Sequence, residues 1–305
     1  MRCLPRRLPS LVALAVLLAS TLSATGLASA ETRSQCLGRL NAVRAKAGLA
    51  QVRLSGTLTA AAQRHANYRA YADSHGLDDA SAHHETAGRR FYSGVKPWDR
   101  TRAAGLKDGS WARQGENVIT GSGRSARLQG VTAWLGAPYH RLPMLDANVR
   151  WVGCAGSSDQ VSTREGAEVL EMVWPWEATQ RKLTAYPVHG QTGVPREFDR
   201  RTEAPSPFRA ACTAVVGSVV SLQASGYHAL RLSAAPTLRR GGTSLAVYWS
   251  SQKTDAHLPA NAVMLAATSP LAARTTYTVT FRGHVQAQPG GAWQPFTRTW
   301  TFTTA

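Results

Sequence analysis

Acidic side chains are scarce in this 305-residue chain: 18 Asp and Glu stand against 35 Lys and Arg, a formal charge of +17. That balance favours anionic partners. Charged residues make up only 17% and hydrophobic ones 43%, so the low-hydrophobicity, high-charge signature of disorder is absent. Beyond the N-terminus no stretch reaches the roughly 18 uninterrupted apolar residues of a spanning helix. There is no P-loop and no G-x-S-x-G nucleophile elbow, and His84-Glu85 lacks the second histidine of a zincin helix. Ser250 and Lys253 formally read S-x-x-K, but in a strand-rich stretch without the companion motifs. Internal repeats and low-complexity tracts are also missing after residue 30.

What stands at the N-terminus is a targeting pattern. Arg2, Arg6 and Arg7 precede an apolar run from Leu11 to Leu18, and small residues follow up to Ala28-Ser29-Ala30. The order predicts a secretory signal peptide cut after Ala30; an uncleaved anchor is the alternative. Cleavage leaves +14, divided as +7 in residues 31–182 and +7 in residues 183–305. No Lys/Arg run of the kind found in nucleic-acid arms is present, so adhesion to an anionic cell envelope is favoured over specific nucleic-acid binding. Of the four cysteines, Cys36, Cys154 and Cys212 lie beyond the signal, spaced too widely for a CxxC motif. Export permits a disulfide, and all three pairings stay open.

Two regions differ in periodicity. Up to residue 182 the pattern is helical and mixed. Ser34 is a cap candidate for a helix with Leu37, Leu40, Val43 and Ala47, stopped by Gly48; Ser55 is one for a helix with Leu58, Ala61, Ala62 and His65. A third helix is expected near Leu128, Val131 and Leu135, and strands around Val118, Val152 and Val173. From residue 183 onward Gly/Pro turns separate strand-like runs. In one of them Tyr277, Val279 and Phe281 alternate with Thr, and Phe296, Trp300 and Phe302 keep the same parity. An α+β chain follows, with an all-β sandwich as its second domain.

Chemistry-bearing side chains concentrate in the first domain. SAHHETAG holds His83, His84 and Glu85, GENVITG holds Glu116, and PYHRLP holds His140. Imidazoles from separate loops plus a carboxylate can bind a divalent cation, or let one group move a proton while another holds a substrate. The same residues also suit solvent-exposed loops and local caps. His65, on the apolar face of its helix, reads as a satisfied core histidine.

The succession LNAVRAKAGL, LTAAAQRHANY, HHETAGRRFYSGVKPWDRTRAAGL, GENVITG and WLGAPYHRLPMLDANVRWVGCAG resembles bacterial members of the CAP superfamily, the cysteine-rich secretory, antigen 5 and pathogenesis-related group. The resemblance implies a three-layer α/β/α sandwich with a cleft lined by two histidines and one or two acids. It makes His140 the second family histidine, Glu116 the family glutamate, and His83 the first histidine, with His84 one position away and Glu85 completing an H-x-E. The further acid that many eukaryotic members carry has no counterpart in WLGAPYH. Residues 183–305 resemble the bacterial Ig-like domains that follow such domains.

The reading carried forward is a secreted binding protein. In it His83 and His140 hold Zn²⁺ or another divalent cation, Glu116 orients a bound water or ligand hydroxyl, and a lipid or envelope polymer is the larger ligand. Two alternatives remain: a metal-dependent hydrolase with Glu116 as base, and a purely adhesive envelope protein.

Overall fold

The computed structural model describes residues 33–122, 128–157, 161–162, 164–176, 180–208, 211 and 213–305; the expected signal peptide and Cys212 lie outside them. Among the described residues no helix is long and apolar enough to cross a membrane.

The first domain comprises α1 (Arg33–Lys46), β1 (Arg53–Leu54), α2 (Gly56–Ser74), α3 (Pro97–Ala103), β2 (Arg113–Ser122), α4 (Gly130–Gly136), α5 (Pro138–Met144), β3 (Trp151–Gly156) and β4 (Glu165–Trp174). Its sheet runs β1-β3-β4-β2, with β1 parallel to β3 and the other pairs antiparallel, so β2 is an edge. Both faces are covered. On one, Ala62, Ala66 and Ala70 of α2 lie at helical spacing against Val118, Ala155, Ala167 and Val169. On the other, Cys36 and Leu40 of α1 and Val131 and Trp134 of α4 pack on Val152, Leu170 and Met172. Alternation along β2 and β4 assigns even and odd residues to opposite faces, giving three layers, α/β/α.

Local sequence explains the starts of these elements. Ser55 caps α2 by accepting a hydrogen bond from the Leu58 N–H at 3.3 Å. A Cβ at Gly153 would lie 2.1 Å from the Leu58 carbonyl carbon, so only glycine lets α2 pack this closely on β3. The buried stripe of α1 is Cys36, Leu40 and Arg44, whereas Leu37, Val43 and Ala47 are only partly buried. Arg44 belongs inside because its Nε and Nη1 donate to the carbonyls of Ala50, Met144 and Asp146 at 2.8–2.9 Å. Burial still lowers its pKa to about 10. The third expected helix is α4, which starts at Gly130, after Leu128; a further short helix, α5, begins at Pro138 directly after Ala137.

The second domain contains β5 (Lys182–Tyr186), β6 (Gln191–Val194), β7 (Glu197–Asp199), β8 (Val215–Gly217), β9 (Val220–Ser225), β10 (Ala229–Leu232), β11 (Thr237–Arg240), β12 (Thr243–Ser244), β13 (Val247–Ser251), β14 (Ala262–Ala267), β15 (Thr276–Gln286) and β16 (Trp293–Thr304). One sheet runs β12-β11-β15-β16-β6, with β10 also on β15; the other runs β13-β14-β9-β5. Tyr277, Val279, Phe281, Trp300 and Phe302 point inward and meet Val220, Leu222, Val263 and Leu265 of the facing sheet. This is a β-sandwich whose core follows the period-two pattern.

The two domains are joined through α5. Tyr139 Oη donates to Asp255 (2.5 Å), His140 Nδ1 to Glu203 (3.0 Å) and Arg141 Nη1 to the Val219 carbonyl (2.9 Å). Leu142 is buried among Val216, Val219, Leu258 and Met264.

A disulfide links Cys36 of α1 to Cys154 of β3, closing a loop of 118 residues. Replacing both cysteines by serine should cost roughly 2–5 kcal/mol, because the unfolded chain regains the freedom that so long a closure removes. Urea unfolding measures it, and an unchanged midpoint would show the bond to be incidental.

Candidate functional site

Glu116 and Asn117 are neighbours on the edge strand β2 and therefore point to opposite faces of the sheet. Glu116 turns towards α2 and α3, where its side chain is buried. Its Oε2 accepts from Arg100 Nη2 at 2.6 Å and its Oε1 from His83 Nδ1 at 2.8 Å. His65 Nε2 stands 3.8 Å from the same oxygen. Asn117 donates on the other face to the His140 backbone carbonyl at 2.9 Å.

Glu85 is the second buried acid. Its oxygens accept from His65 Nδ1 (2.8 Å) and from the Ser93 N–H (2.6 Å), with Arg100 Nε 3.7 Å away. His65 Nε2 also bonds the Ala82 carbonyl at 2.9 Å. His65 thus spans Glu85 and Glu116, and the Arg100 guanidinium stands against both carboxyl groups. His65 is a buried, satisfied histidine as expected, and it is also the bridge between the two acids.

A third carboxyl group completes the cluster. Glu171 of β4 sits opposite Glu116 in the register and is fully buried. Burial pushes its pKa well up, and the charge and hydrogen bond of Glu116 push it further. Its Oε1 meets no N–H or O–H donor, whereas Oε2 accepts from Gln114 Nε2 at 3.0 Å. A proton on Glu171 turns that oxygen into a donor towards Glu116. Burial alone would raise Glu116 too, but His65, His83, Arg100 and this hydrogen bond hold it below the usual carboxylate range.

Backbone geometry places the key cation. Gly94 has φ +152°, and a Cβ there would lie 2.8 Å from the Arg100 N. Pro97 begins α3, and Asp99 accepts from the Lys96 N–H at its first turn. Arg100 is then drawn inward, where it also donates to the carbonyls of His83 and Gly94.

Of the residues expected from sequence, His83, Glu85 and Glu116 come together. His84 does not join them: its Nδ1 is held in its own turn by Ser81 Oγ at 2.7 Å. His140 belongs to the domain junction, where Glu203 of the second domain is its acid partner. Arg100, Glu171 and Glu203 were not singled out from sequence. Glu171 carried a signal, since a glutamate inside the apolar run of β4 must be paired or protonated; Arg100 and Glu203 carried none.

Both His65 nitrogens are engaged, whereas His83 and His140 give Nδ1 to different carboxylates and keep Nε2 as the atom a metal would use. Among the described residues, however, no group of three or more His, Cys, Asp or Glu side chains is placed to hold a metal, so the ligand set expected around His83 and His140 is not assembled.

Comparison with known proteins finds one family-model match, over part of the chain. Residues 37–165 match the model described as the cysteine-rich secretory protein family, CAP. Among solved structures, an extracellular protein containing an SCP domain from Bacillus anthracis str. Ames is 14% identical, over 45% of this chain and 39% of that one, with a TM-score of 0.34. An outer surface protein from Borrelia burgdorferi is 18% identical, over 46% of this chain and 89% of that one, with a TM-score of 0.32. The chain thus spans well under half the length of the Bacillus protein. No curated protein matches.

Two outcomes test this account. In Glu171→Gln, a permanent donor replaces the proton. The wild-type fold keeps a proton that the unfolded chain releases above about pH 4–5, so its stability falls as pH rises from there to the raised folded pKa. The variant should lose that decline when urea unfolding is compared between about pH 5 and about pH 8; an identical slope in both proteins would contradict the assignment. Calorimetric titration of zinc should show no one-to-one site, and a site abolished by His83→Ala and by His140→Ala would restore the metal centre.

Proposed function

With a CAP domain at residues 37–165 as the premise, we propose that the chain is an exported binding protein of the cell envelope, not a hydrolase. The observation that carries this reading is the saturation of Glu116. A general base needs an oxygen free to take a proton near the working pH. Both Glu116 oxygens already accept charge-assisted bonds, and its surroundings hold it ionised at lower pH than usual. The buried cluster is instead a scaffold. Glu85 accepts from the Ser93 N–H, and its own N–H donates to the Val95 carbonyl, which fixes the loop running into α3.

That loop is where the ligand surface lies. Tyr92, Val95 and Trp98 are 39%, 39% and 46% exposed, unusual values for large apolar side chains on one short segment. Lys96 stands 5.0 Å over the Trp98 ring, and Arg90 4.8 Å over Phe91. Aromatic faces beside cations suit an anionic polymer that also offers apolar surface. His83, 38% exposed at the side chain, is the one part of the buried cluster that reaches this surface. The internal disulfide accords with an oxidising compartment outside the cytoplasm.

The test is co-sedimentation with purified bacterial cell walls. Wild-type protein should pellet with the walls at about 0.1 M salt and less at about 0.5 M, where exposed charges are screened. Tyr92→Ala with Trp98→Ala should weaken pelleting about tenfold, the loss expected for removal of two exposed anchors. Equal pelleting by the double variant would move binding to another surface, and release of soluble wall fragments would establish turnover. Anionic vesicles in place of walls distinguish a lipid ligand.

A further inference from the structure

A cavity of about 560 Å³ lies away from the His83 surface, at the junction of the two domains. Volumes of this size are typical of small-molecule sites. Its walls come from both domains: Trp134 and Leu135 of α4 on one side, and Tyr186, Val194, Phe198 and Val219 of the sandwich on the other. The junction around it is tied at four consecutive residues, Tyr139 to Leu142, by hydrogen bonds to Asp255, Glu203 and Val219 and by one buried leucine. A cavity between elements fixed in this way is formed before any ligand arrives.

His140 and the buried Arg141 of α5 both line this space. The His140 Nδ1 donates to Glu203 Oε1 at 3.0 Å, and the same oxygen accepts the Tyr139 N–H at 2.8 Å, so Glu203 is anchored independently of the imidazole. With Nδ1 carrying the proton, the neutral ring presents Nε2 as an acceptor. Trp134, Tyr186 and Phe198 bring aromatic side chains to the walls, and the Arg141 guanidinium stands 4.8 Å over the Tyr186 ring, surroundings that favour an aromatic ring over a flexible chain.

We infer that the domain-junction cavity is a binding site for a compact aromatic molecule bearing a hydroxyl group. The ring packs between α4 and the sandwich, and the hydroxyl donates to His140 Nε2. Glu203 is a positioning residue: it belongs to the second domain and sets the tautomer of a histidine in the first. The site is thus absent from either domain alone. The inference is independent of the envelope-binding surface at Tyr92 and Trp98.

The test uses 1-naphthol and 1-methoxynaphthalene, which share the ring and the oxygen but differ in the ability to donate. Titration of the whole protein, followed by calorimetry and by Trp fluorescence at about pH 8, should give one-to-one binding of 1-naphthol and about tenfold weaker binding of the methyl ether, as expected for one unmade hydrogen bond. His140→Ala should bring 1-naphthol down to the level of the ether. Ala133→Trp, which projects a ring into the cavity from α4, should abolish binding of both while leaving wall co-sedimentation intact. No binding of 1-naphthol to the wild type, equal binding of the two probes, or binding that survives Ala133→Trp would each overturn the inference.

Discussion

A carboxylate placed on the inner face of an edge strand, without water, has to be neutralised by the chain around it, and in this protein that carboxylate is Glu116. Arg100 and His83 bond to it directly, His65 approaches within 3.8 Å, and Glu171 opposite keeps its proton. Each requirement fixes a further piece of backbone. Arg100 needs the turn at Gly94 and the helix that Pro97 begins; His65 needs α2 seated closely on β3, which Gly153 permits. Glu85, drawn in as the hydrogen-bond partner of His65, then holds the Ser93–Val95 loop. Electrostatic neutrality inside the domain therefore determines the course of the exposed loop outside it. Burying charged groups costs about as much as their pairing returns, so the cluster adds little net stability even though removing one partner would be costly.

The second constraint is the short helix α5. Its sequence, PYHRLPM, gives three polar side chains to three partners in the sandwich and one leucine to the sandwich's own core. Two domains connected only by a linker would be expected to move relative to one another, whereas a shared apolar cluster opposes that motion. Arg141 shows what the arrangement costs. It is fully buried, burial lowers its pKa, and it is held by the Val219 carbonyl and by the Tyr186 ring 4.8 Å away. The β-sandwich is consequently part of the first domain's environment and supplies an acid that the first domain lacks.

Much of this was legible residue by residue. The cap at Ser55 and the strands around Val118, Val152 and Val173 follow from local chemistry and periodicity. So does the inward face of Tyr277, Val279 and Phe281, because each depends on near neighbours in sequence. The expectation that His83, His140 and Glu116 share one cleft was half legible: His83 and Glu116 meet, but His140 bonds Glu203 and Arg100 also occupies the Glu116 carboxylate. Nothing local marks Arg100, since a guanidinium in an exposed-looking helix acquires its role from a strand 16 residues away. WLGAPYH holds no acid for His140. The carboxylate that bonds it is Glu203, 63 residues further on, across a domain boundary that sequence patterning treats as a separation. The stripe of α1 was misassigned by one position because a buried arginine bonded to three carbonyls does not register as apolar.

Edge strand β2 links these results, because its period of two serves different purposes on its two faces. Glu116 commits one face to the charged cluster and the His83 surface; Asn117, one residue later, holds the backbone of His140 and so the start of the junction. Val118 and Ile119 repeat the division one step along, the first packing under α2 and the second against the apolar cluster of α1 and α4. A register slip of one residue between β2 and β4 would exchange the faces, placing a carboxylate in the apolar layer and an amide among the cations. Ten paired residues between these strands make that slip costly. The histidines at 83 and 140 thus occupy separate environments for a backbone reason: adjacent residues of one strand anchor them, and adjacent residues of a strand cannot face the same way.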